Sequence, residues 1–253
     1  MKRLHLFVWM VLAGCTVLFS QIRAEPDTIP TNDGDVVIQP ITHGSMVLTW
    51  KKQIIYVDPY GGVDRYKGLK DPTLILITDI HGDHLHQSTL DDLNLIRAQF
   101  VAPKAVKEKL PEAMSRRTAA IENGQTIVFE DMEILAIPMY NLPETEDSRH
   151  PKGRGNGYLL TIGGKRIYIS GDTEDIPEMR NLTNIDVAFI CMNLPYTMDV
   201  NQAASAVIAF QPRIVYPYHY RGKDELSDVE SFKKQVEDAG VSVEIRLKDW
   251  YAE

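Results

Sequence analysis

Thr78-Asp79-Ile80-His81-Gly82-Asp83-His84 decides how the rest of this chain is expected to fold. It directly follows residues 73–77, an apolar run with β-branched residues that predicts a buried strand. Two histidines and two aspartates therefore fall within six positions at the end of that strand. A divalent cation would relieve the repulsion between the carboxylates, so this spacing predicts a metal site. A chance cluster of polar residues is the alternative, and the order of strand, ligand cluster and helix argues against it.

Size and charge narrow the classes of function. The chain has 253 residues with 44% hydrophobic content, enough to bury a sizeable core as one domain or two closely fused halves. It carries 27 basic and 35 acidic residues, and the first 24 residues contribute bases but no acid. A chain this acidic is not expected to bind nucleic acid. We expect a small-molecule partner, and the sequence leaves the oligomeric state open.

The first 24 residues have the pattern of an export signal. Basic residues at positions 2–3 precede an apolar run over 4–19, and Ala24 precedes a polar stretch. Residues 12–15, Leu-Ala-Gly-Cys, resemble a bacterial lipoprotein box, which would leave Cys15 lipid-modified. We expect an exported, periplasmic or extracellular protein, either cleaved near Ala24 or lipid-anchored through Cys15, with a retained anchor as a third alternative. Membrane contact is expected only through such an anchor.

Apolar runs predict two clusters of strands, each followed by alternating helices and strands, which is typical of an α/β protein with two sheet-bearing halves. After a lead-in at residues 25–35, strands are predicted at 36–41, 46–50, 54–57, 73–77, 100–102, 126–129, 133–137, 157–162, 165–170, 185–191, 213–216 and 241–245. Helices are predicted at 88–97, 103–110, 200–210 and 225–239. Residues 138–156 form a long loop, and loops of that length are usually functional or mobile.

Further ligand-type residues follow other predicted strands: Asp172 within Gly-Asp-Thr, and His219. In this order the chain resembles the metallo-β-lactamase superfamily, whose pattern is THxHxDH, a separate histidine, GDT and a late histidine. The resemblance covers essentially everything after residue 36. It implies a four-layer αββα sandwich with two pseudo-symmetric halves over residues 36–253, and a metal-dependent hydrolase.

Other segments are similar to one branch of that superfamily. Residues 41–45 and 57–59 resemble the opening of the branch that contains ascorbate-phosphate lactonase and the N-acyl phosphatidylethanolamine phosphodiesterases. The segments PMYN, HPKG, GDTEDIPEM and YPYHYRG indicate a bacterial subgroup of it. This branch implies an ester, lactone or phosphodiester as substrate. A β-lactam is disfavoured for the same reason.

The resemblance implies metal ligands at Asp79, His81, Asp83, His84, Asp172 and His219, with Asp172 as the bridge between two sites. The first site departs from the family pattern at two positions. Asp79 stands where the first motif histidine is expected, and Asn141 matches the separate histidine. His150, on the long loop, either supplies the missing nitrogen or contacts substrate. His43 and Asp58 are expected to support the site without binding metal.

Two divalent metals are therefore expected, and occupancy of the first site is left open. Zinc is the first choice, with manganese or iron as alternatives because Asp79 makes that site richer in oxygen. The predicted nucleophile is a hydroxide bridging the ions, with Asp83 as the catalytic residue that orients it and carries its proton. Cys191 is expected to be a core residue.

Basic residues near the expected entrance to the metal site indicate an anionic substrate. Lys152 and Arg154 lie on the long loop, Arg221 follows His219, and Tyr196 is a candidate pocket residue. Solvated surface charge is the alternative for these residues. A non-catalytic metal- or ligand-binding module on the same scaffold is the competing function. A di-iron oxidoreductase ranks lower, because it would carry HxExD in the motif.

Overall fold

The computed structural model describes residues 23–145 and 147–252. Nearly all of the predicted export signal, including Cys15, lies outside those residues. Within them, strands form two seven-stranded mixed sheets. No helix in the described ranges is both long enough and apolar enough to cross a membrane.

The first sheet runs in chain order from one edge to the other. It contains β1 Asp27–Ile29, β2 Val36–Thr42, β3 Ser45–Trp50, β4 Gln53–Val57, β5 Leu74–Leu76, β6 Gln99–Ala102 and β7 Thr118–Ala120. Strands β1 to β4 pair antiparallel, and β4 to β7 pair parallel. Strand β1 lies within the stretch that the sequence indicated as a lead-in; its Ile29 is buried, which explains why this segment joins the sheet.

The second sheet repeats this pattern. It contains β8 Thr126–Phe129, β9 Met132–Met139, β10 Gly155–Ile162, β11 Lys165–Ile169, β12 Val187–Cys191, β13 Ile214–Tyr218 and β14 Glu244–Ile245. Strands β8 to β11 pair antiparallel and β11 to β14 pair parallel. The two halves therefore share one topology, which confirms the predicted pseudo-symmetry.

Helices cover the outer faces of both sheets. They are α1 Gln87–Asp92, α2 Lys104–Lys107, α3 Glu112–Ser115, α4 Pro177–Arg180, α5 Val200–Phe210 and α6 Val229–Asp238, and a 3₁₀ turn spans Val63–Tyr66. Apolar side chains of both sheets share one buried core with α5 and α6. The other face of the first sheet packs with Leu90 of α1 and Val106 of α2 in a separate core. This arrangement confirms the αββα sandwich.

Several predicted boundaries are wrong. The helix predicted over residues 225–239 begins at Val229, because the side chain of Asp228 accepts from the backbone N–H of Ser231 and caps it there. The helix predicted over residues 103–110 ends at Lys107.

Two further boundaries differ for local reasons. The helix predicted over residues 88–97 ends at Asp92, and the chain then becomes extended so that Leu95 and Ala98 reach the core. The loop predicted over residues 138–156 is shorter, because β9 continues through Pro138, which pairs with Asn156 of β10. Helix α5 has the predicted bounds, and its capping box joins Asp199 to Gln202.

Candidate metal centre

The ligand-type residues converge where strands end. The motif at residues 78–84 follows β5, Asp172 follows β11 and His219 follows β13. Strand β5 belongs to the first sheet, whereas β11 and β13 belong to the second. The segments after these strands meet between the two sheets, which brings residues distant in sequence together. The structure brings together the six residues predicted as ligands: Asp79, His81, Asp83, His84, Asp172 and His219. It also adds His150 to them.

One cluster forms around His84, Asp172 and His219. The Nε2 atom of His84 lies 3.2 Å from Oδ2 of Asp172, and Nε2 of His219 lies 3.1 Å from Oδ1 of Asp172. Asp83 approaches the same cluster, with its Oδ2 at 3.5 Å from Nε2 of His219. Asp83 is 28% exposed, whereas the other three side chains are at most 3% exposed. This cluster therefore opens to solvent on the side of Asp83.

A second cluster contains Asp79, His81 and His150. The Nδ1 atom of His81 lies 2.7 Å from Oδ2 of Asp79, and Nε2 of His150 lies 4.0 Å from that same oxygen. The Nε2 atom of His150 is also 3.2 Å from Oδ2 of Asp172. Asp172 thus lies between the two clusters, in the place of a bridging ligand.

The atoms that face one another in these clusters fit divalent cations. Nδ1 of His81, Nε2 of His150 and Oδ1 of Asp172 are buried, and despite their close ion-pair distances none of them forms an aligned hydrogen bond. Buried polar atoms without hydrogen bonds are costly, and divalent ions in the two clusters would satisfy them. Imidazole nitrogens with carboxylate oxygens suit zinc, iron and manganese.

Charge coupling within the clusters is strong. Burial would raise the pKa of Asp172, but His219 and His84 hold it well below its usual range. Burial would lower the pKa of His84, but Asp172, Asp83 and Asp58 raise it well above its usual range. Without metal, a proton on His84 therefore balances the carboxylates. Metal binding must displace that proton, because a ligating imidazole is neutral.

Comparison with known proteins identifies the family. The model of the β-lactamase superfamily domain matches residues 37–219. The chain belongs to the metallo-β-lactamase superfamily. A metal-dependent hydrolase from Pyrococcus abyssi is 29% identical over 214 residues, which cover 80% of this chain and 93% of that protein.

Solved structures of the superfamily agree. A protein from Parabacteroides distasonis, described as a metal-dependent hydrolase, has a TM-score of 0.79 and 36% identity, covering 89% of this chain and 99% of its own. Igni18, a metallo hydrolase from Ignicoccus hospitalis, has a TM-score of 0.71 at 23% identity, over 86% of this chain and 96% of its own, a likeness that shows the fold alone. This chain is a metal-dependent hydrolase of the superfamily.

Asn141 occupies the position of the histidine that the superfamily pattern expects, but its amide is committed to other protein groups. Its Oδ1 accepts from the backbone N–H of His150 at 2.8 Å and lies 3.1 Å from Nδ1 of His150. Its Nδ2 donates to Glu174 at 3.1 Å and to the carbonyl of Tyr196 at 2.8 Å. This bonding turns Nε2 of His150 toward Asp172. The geometry therefore favours His150, oriented by Asn141, over Asn141 itself as the ligand.

Asp58 plays the corresponding role for His84. Its Oδ2 lies 2.8 Å from Nδ1 of His84, and its Oδ1 accepts from the backbone N–H of Thr78 at 2.8 Å. With Nδ1–H donating to this carboxylate, Nε2 of His84 is left free for a metal. Such carboxylate–histidine pairs fix the orientation of metal ligands. The expected supporting role of Asp58 is thus reflected in its contacts.

Three residues around the centre have left-handed backbone conformations. His43, Asp58 and His219 have φ values of 55°, 42° and 47°. Each directly follows a strand: β2, β4 and β13 respectively. A non-glycine residue in this region costs about 1–3 kcal/mol, and such strain is concentrated at functional sites. The sharp turn it produces explains how three strand ends direct side chains inward.

His43 links Asp83 to the end of the chain. Its Nε2 lies 3.1 Å from Oδ2 of Asp83, and its Nδ1 lies 2.9 Å from the hydroxyl of Tyr251. Burial, with His219 close by, lowers the pKa of His43 to about 4, so the ring is neutral. Since the Asp83 carboxylate can only accept, the single ring proton lies on Nε2. Tyr251 then donates to Nδ1 and accepts from the backbone N–H of Arg221 at 2.8 Å.

The residues predicted to contact substrate have different surroundings. Lys152 is paired with Glu178 at 2.9 Å and Glu144 at 3.2 Å, and Arg154 is paired with Asp79. Tyr196 lies under Arg149, whose guanidinium is 4.2 Å from the ring centroid. Arg221 stacks on Tyr251 at 4.5 Å. Among the described residues, Arg221 is the one of the three predicted cations that forms no ion pair.

Sequence reasoning missed Tyr251, which contacts His43, and Arg65, which lines a cavity together with His43. Tyr251 is separated from His43 by 208 positions, and no motif surrounds it. Arg65 lies in an ordinary polar segment after β4. A tyrosine near the chain end or an isolated arginine carries no spacing signal, so only the fold could reveal either residue.

Proposed function

We propose that this metal-dependent hydrolase is exported and cleaves a small anionic ester, lactone or phosphodiester. One observation carries the proposal: six ligand-type side chains surround Asp172, and only Asp83 and His81 among them are appreciably exposed. Substrate can therefore reach the centre at Asp83 and His81. Exposed Asp83 is then the carboxylate closest to the reacting bond.

Two divalent ions fit the clusters, with zinc as the first choice and manganese or iron as alternatives. Asp79, His81, His150 and Asp172 would hold one ion, and Asp83, His84, His219 and Asp172 the other. Such ions supply Lewis acidity and lower the pKa of a bound water to about 7. The three carboxylates add oxygen character that manganese and iron accept readily.

Asp83 is the proposed general base. Burial would raise its pKa, but His84, His43 and His219 hold it well below its usual range, so the carboxylate is ionised. Its partly exposed position beside the cluster places it within reach of an attacking water. Because Nε2–H of His43 occupies Oδ2, the proton from the attacking water goes to Oδ1 and is passed on to the leaving group. Tyr251 fixes the tautomer of His43 and thereby holds Asp83 in place.

Export is part of the proposal and rests on the first 24 residues alone. Cleavage near Ala24 would release the domain, whereas modification of Cys15 would tether it to a membrane surface. Expression of the full chain with the variant Cys15→Ser distinguishes them. A membrane-bound parent and a released variant indicate the lipid anchor, and release of both indicates ordinary cleavage. Retention of both in the cytoplasm would contradict export.

The test of activity is a panel of carboxylic esters, lactones and phosphodiesters, assayed with metal-loaded protein. We expect turnover on at least one class, and a loss of kcat of about 100-fold to 10,000-fold in Asp83→Asn, as for removal of a general base. Asp91→Asn, an exposed residue of α1, is the matched control and should retain kcat. A fully metallated protein that is inert on all classes would instead support the metal- or ligand-binding module.

A further inference from the structure

A cavity of about 340 Å³ lies beside the metal centre. Its lining residues are Thr42, His43, Tyr60, Arg65, Arg221 and Tyr251. His43 belongs to both places, since it lines this cavity and its Nε2 lies 3.1 Å from Asp83. The rings of Tyr60 and Tyr251 flank His43, with centroids 5.7 Å and 5.9 Å from it. A group seated in the cavity is therefore one side chain away from the proposed base.

Two arginines give this cavity a positive charge. Within residues 23–145 and 147–252, neither Arg65 nor Arg221 forms an ion pair with a carboxylate. The Nη1 atom of Arg65 is buried and has no hydrogen-bond partner there. A buried guanidinium nitrogen without an acceptor is unfavourable, and such groups call for an explanation. The whole chain has a net charge of −8, so two unpaired arginines in one cavity are not a general surface property.

Both arginines are held in position by protein contacts. Arg65 lies on the 3₁₀ turn Val63–Tyr66, whose Tyr66 hydroxyl accepts from the backbone N–H of Tyr60 at 2.9 Å. A Cβ atom on Gly61 would lie only 2.9 Å from Cδ of Arg65, so the glycine lets the arginine stem pack closely. Arg221 lies on the ring of Tyr251 and donates its backbone N–H to the same residue. The two guanidinium groups thus need little reordering to bind an anion.

We propose that this cavity is a subsite for an oxyanion group of the substrate, a carboxylate or a phosphoryl group separate from the bond that is cleaved. This inference rests on the proposed function and specifies its anionic substrate. Guanidinium groups match both kinds of oxyanion through paired N–H donors, and the rings of Tyr60 and Tyr251 line the same cavity. The anion would fix the distance between the charged end of the substrate and its scissile bond.

Matched pairs of substrates test the subsite. Each pair shares one ester or lactone and differs in whether a side group is a neutral amide, a carboxylate or a phosphate. The measured quantity is the ratio of kcat/KM for the anionic member to that for the neutral member. We expect Arg65→Met and Arg221→Met to lower this ratio about 10-fold to 100-fold each, as for loss of a charged hydrogen bond. Arg97→Met, which changes an exposed arginine that does not line this cavity, should leave the ratio unchanged.

Comparison of the two anions identifies the group. If the arginine variants lower the kcat/KM ratio more for the carboxylate pair, the subsite binds a carboxylate. If they lower it more for the phosphate pair, the subsite binds a phosphoryl group. An unchanged ratio for both anions in Arg65→Met and Arg221→Met overturns the inference. Thermal unfolding of each variant checks that it is folded. Arg65→Lys keeps the positive charge but lacks the paired N–H donors of the guanidinium group, so it should lower the kcat/KM ratio less than Arg65→Met does.

Direct binding separates this inference from the proposed hydrolysis. Calorimetric titration of metal-loaded protein with inorganic phosphate and with acetate needs no turnover. Anions that bind only the metals would bind the parent and Arg65→Met equally. A dissociation constant about 10-fold weaker in Arg65→Met supports the subsite even when every hydrolysis assay is negative. Equal dissociation constants in the parent and both arginine variants would refute the subsite while leaving hydrolysis untouched.

Discussion

Arg154 places its guanidinium against both carboxylate oxygens of Asp79. Its Nε lies 3.2 Å from Oδ1, and its Nη2 lies 3.0 Å from Oδ2. Asp79 is fully buried and Arg154 is 20% exposed. Burial would raise the pKa of Asp79, but His81, His84 and Arg154 together lower it. This chain has an aspartate where the superfamily pattern has a neutral histidine, and Arg154 supplies the charge that balances the replacement.

This pairing predicts strong coupling between positions 79 and 154. Arg154→Met leaves a buried carboxylate without its partner, which should lower the free energy of unfolding of chelator-treated protein by about 2–4 kcal/mol. Asp79→His leaves the guanidinium without its acceptor. The double variant Asp79→His/Arg154→Met has no charged pair at these positions. Its free energy of unfolding should therefore be higher than the sum of the losses in the two single variants predicts. Urea denaturation of all four proteins gives the coupling energy, and additive effects would contradict the pairing.

Asp58 should control the affinity of the cluster that contains His84. Asp58→Asn removes the carboxylate that accepts from Nδ1–H of His84, so we expect metal affinity to fall about 10-fold to 100-fold. Competition with a chromogenic chelator measures that affinity. Asp71→Asn is the matched control, because Asp71 is exposed and, within the described part of the chain, its side chain accepts a hydrogen bond from the Asn94 amide alone. An affinity in Asp58→Asn equal to that of the parent would rule out the orienting role.

Asn141 should control the other cluster through His150. Asn141→Ala removes the acceptor that fixes this ring, so we expect the ion bound by Asp79, His81 and His150 to be lost first, leaving about one ion per chain. Metal analysis after gel filtration measures the loss. Thr145→Ala, on the same loop but exposed, serves as the control. Retention of the full metal content in Asn141→Ala would show that His150 needs no such support.

Asp27 should make the stability of the sheet edge depend on pH. Burial would raise its pKa, but the hydroxyl of Tyr216 at 2.7 Å, the Thr28 backbone N–H and the Arg246 guanidinium lower it below the ordinary 3.8. A folded-state pKa below the unfolded one contributes stability at neutral pH that is lost as the carboxyl protonates on acidification. Asp27→Asn should therefore be less stable than the parent at pH 7.

The difference in stability between the parent and Asp27→Asn should shrink as the pH falls below the ordinary pKa of 3.8, and it should vanish below the lower folded-state pKa of Asp27. Urea denaturation of chelator-treated parent and Asp27→Asn across the acid range measures the difference. A difference that persists unchanged in acid would show that the Asp27 charge is not its source. No difference at pH 7 would show that β1 contributes no charge-dependent stability.

The sequence predicted the parts of the fold that repeat with a regular period or carry a spacing motif. The alternation of strands predicted both halves of the sandwich. The motif after β5 supplied four of the six predicted ligands that meet in the structure, and Asp172 and His219, after β11 and β13, supplied the other two. His150 could only be named as an alternative, because its place depends on how a long loop folds back. Arg154 was expected at the substrate, whereas it pairs with Asp79. Contacts between a loop and a distant strand end leave no periodic signal in one sequence.

Metal content measures the central claim most directly. Protein prepared without chelator, then analysed by inductively coupled plasma mass spectrometry, should hold about two divalent ions per chain, as expected for two clusters that share Asp172. Asp172→Asn, which weakens the shared ligand, should hold about one ion or none. A parent that binds no ion in the presence of zinc, manganese or iron, or an Asp172→Asn variant that keeps both, would contradict the account.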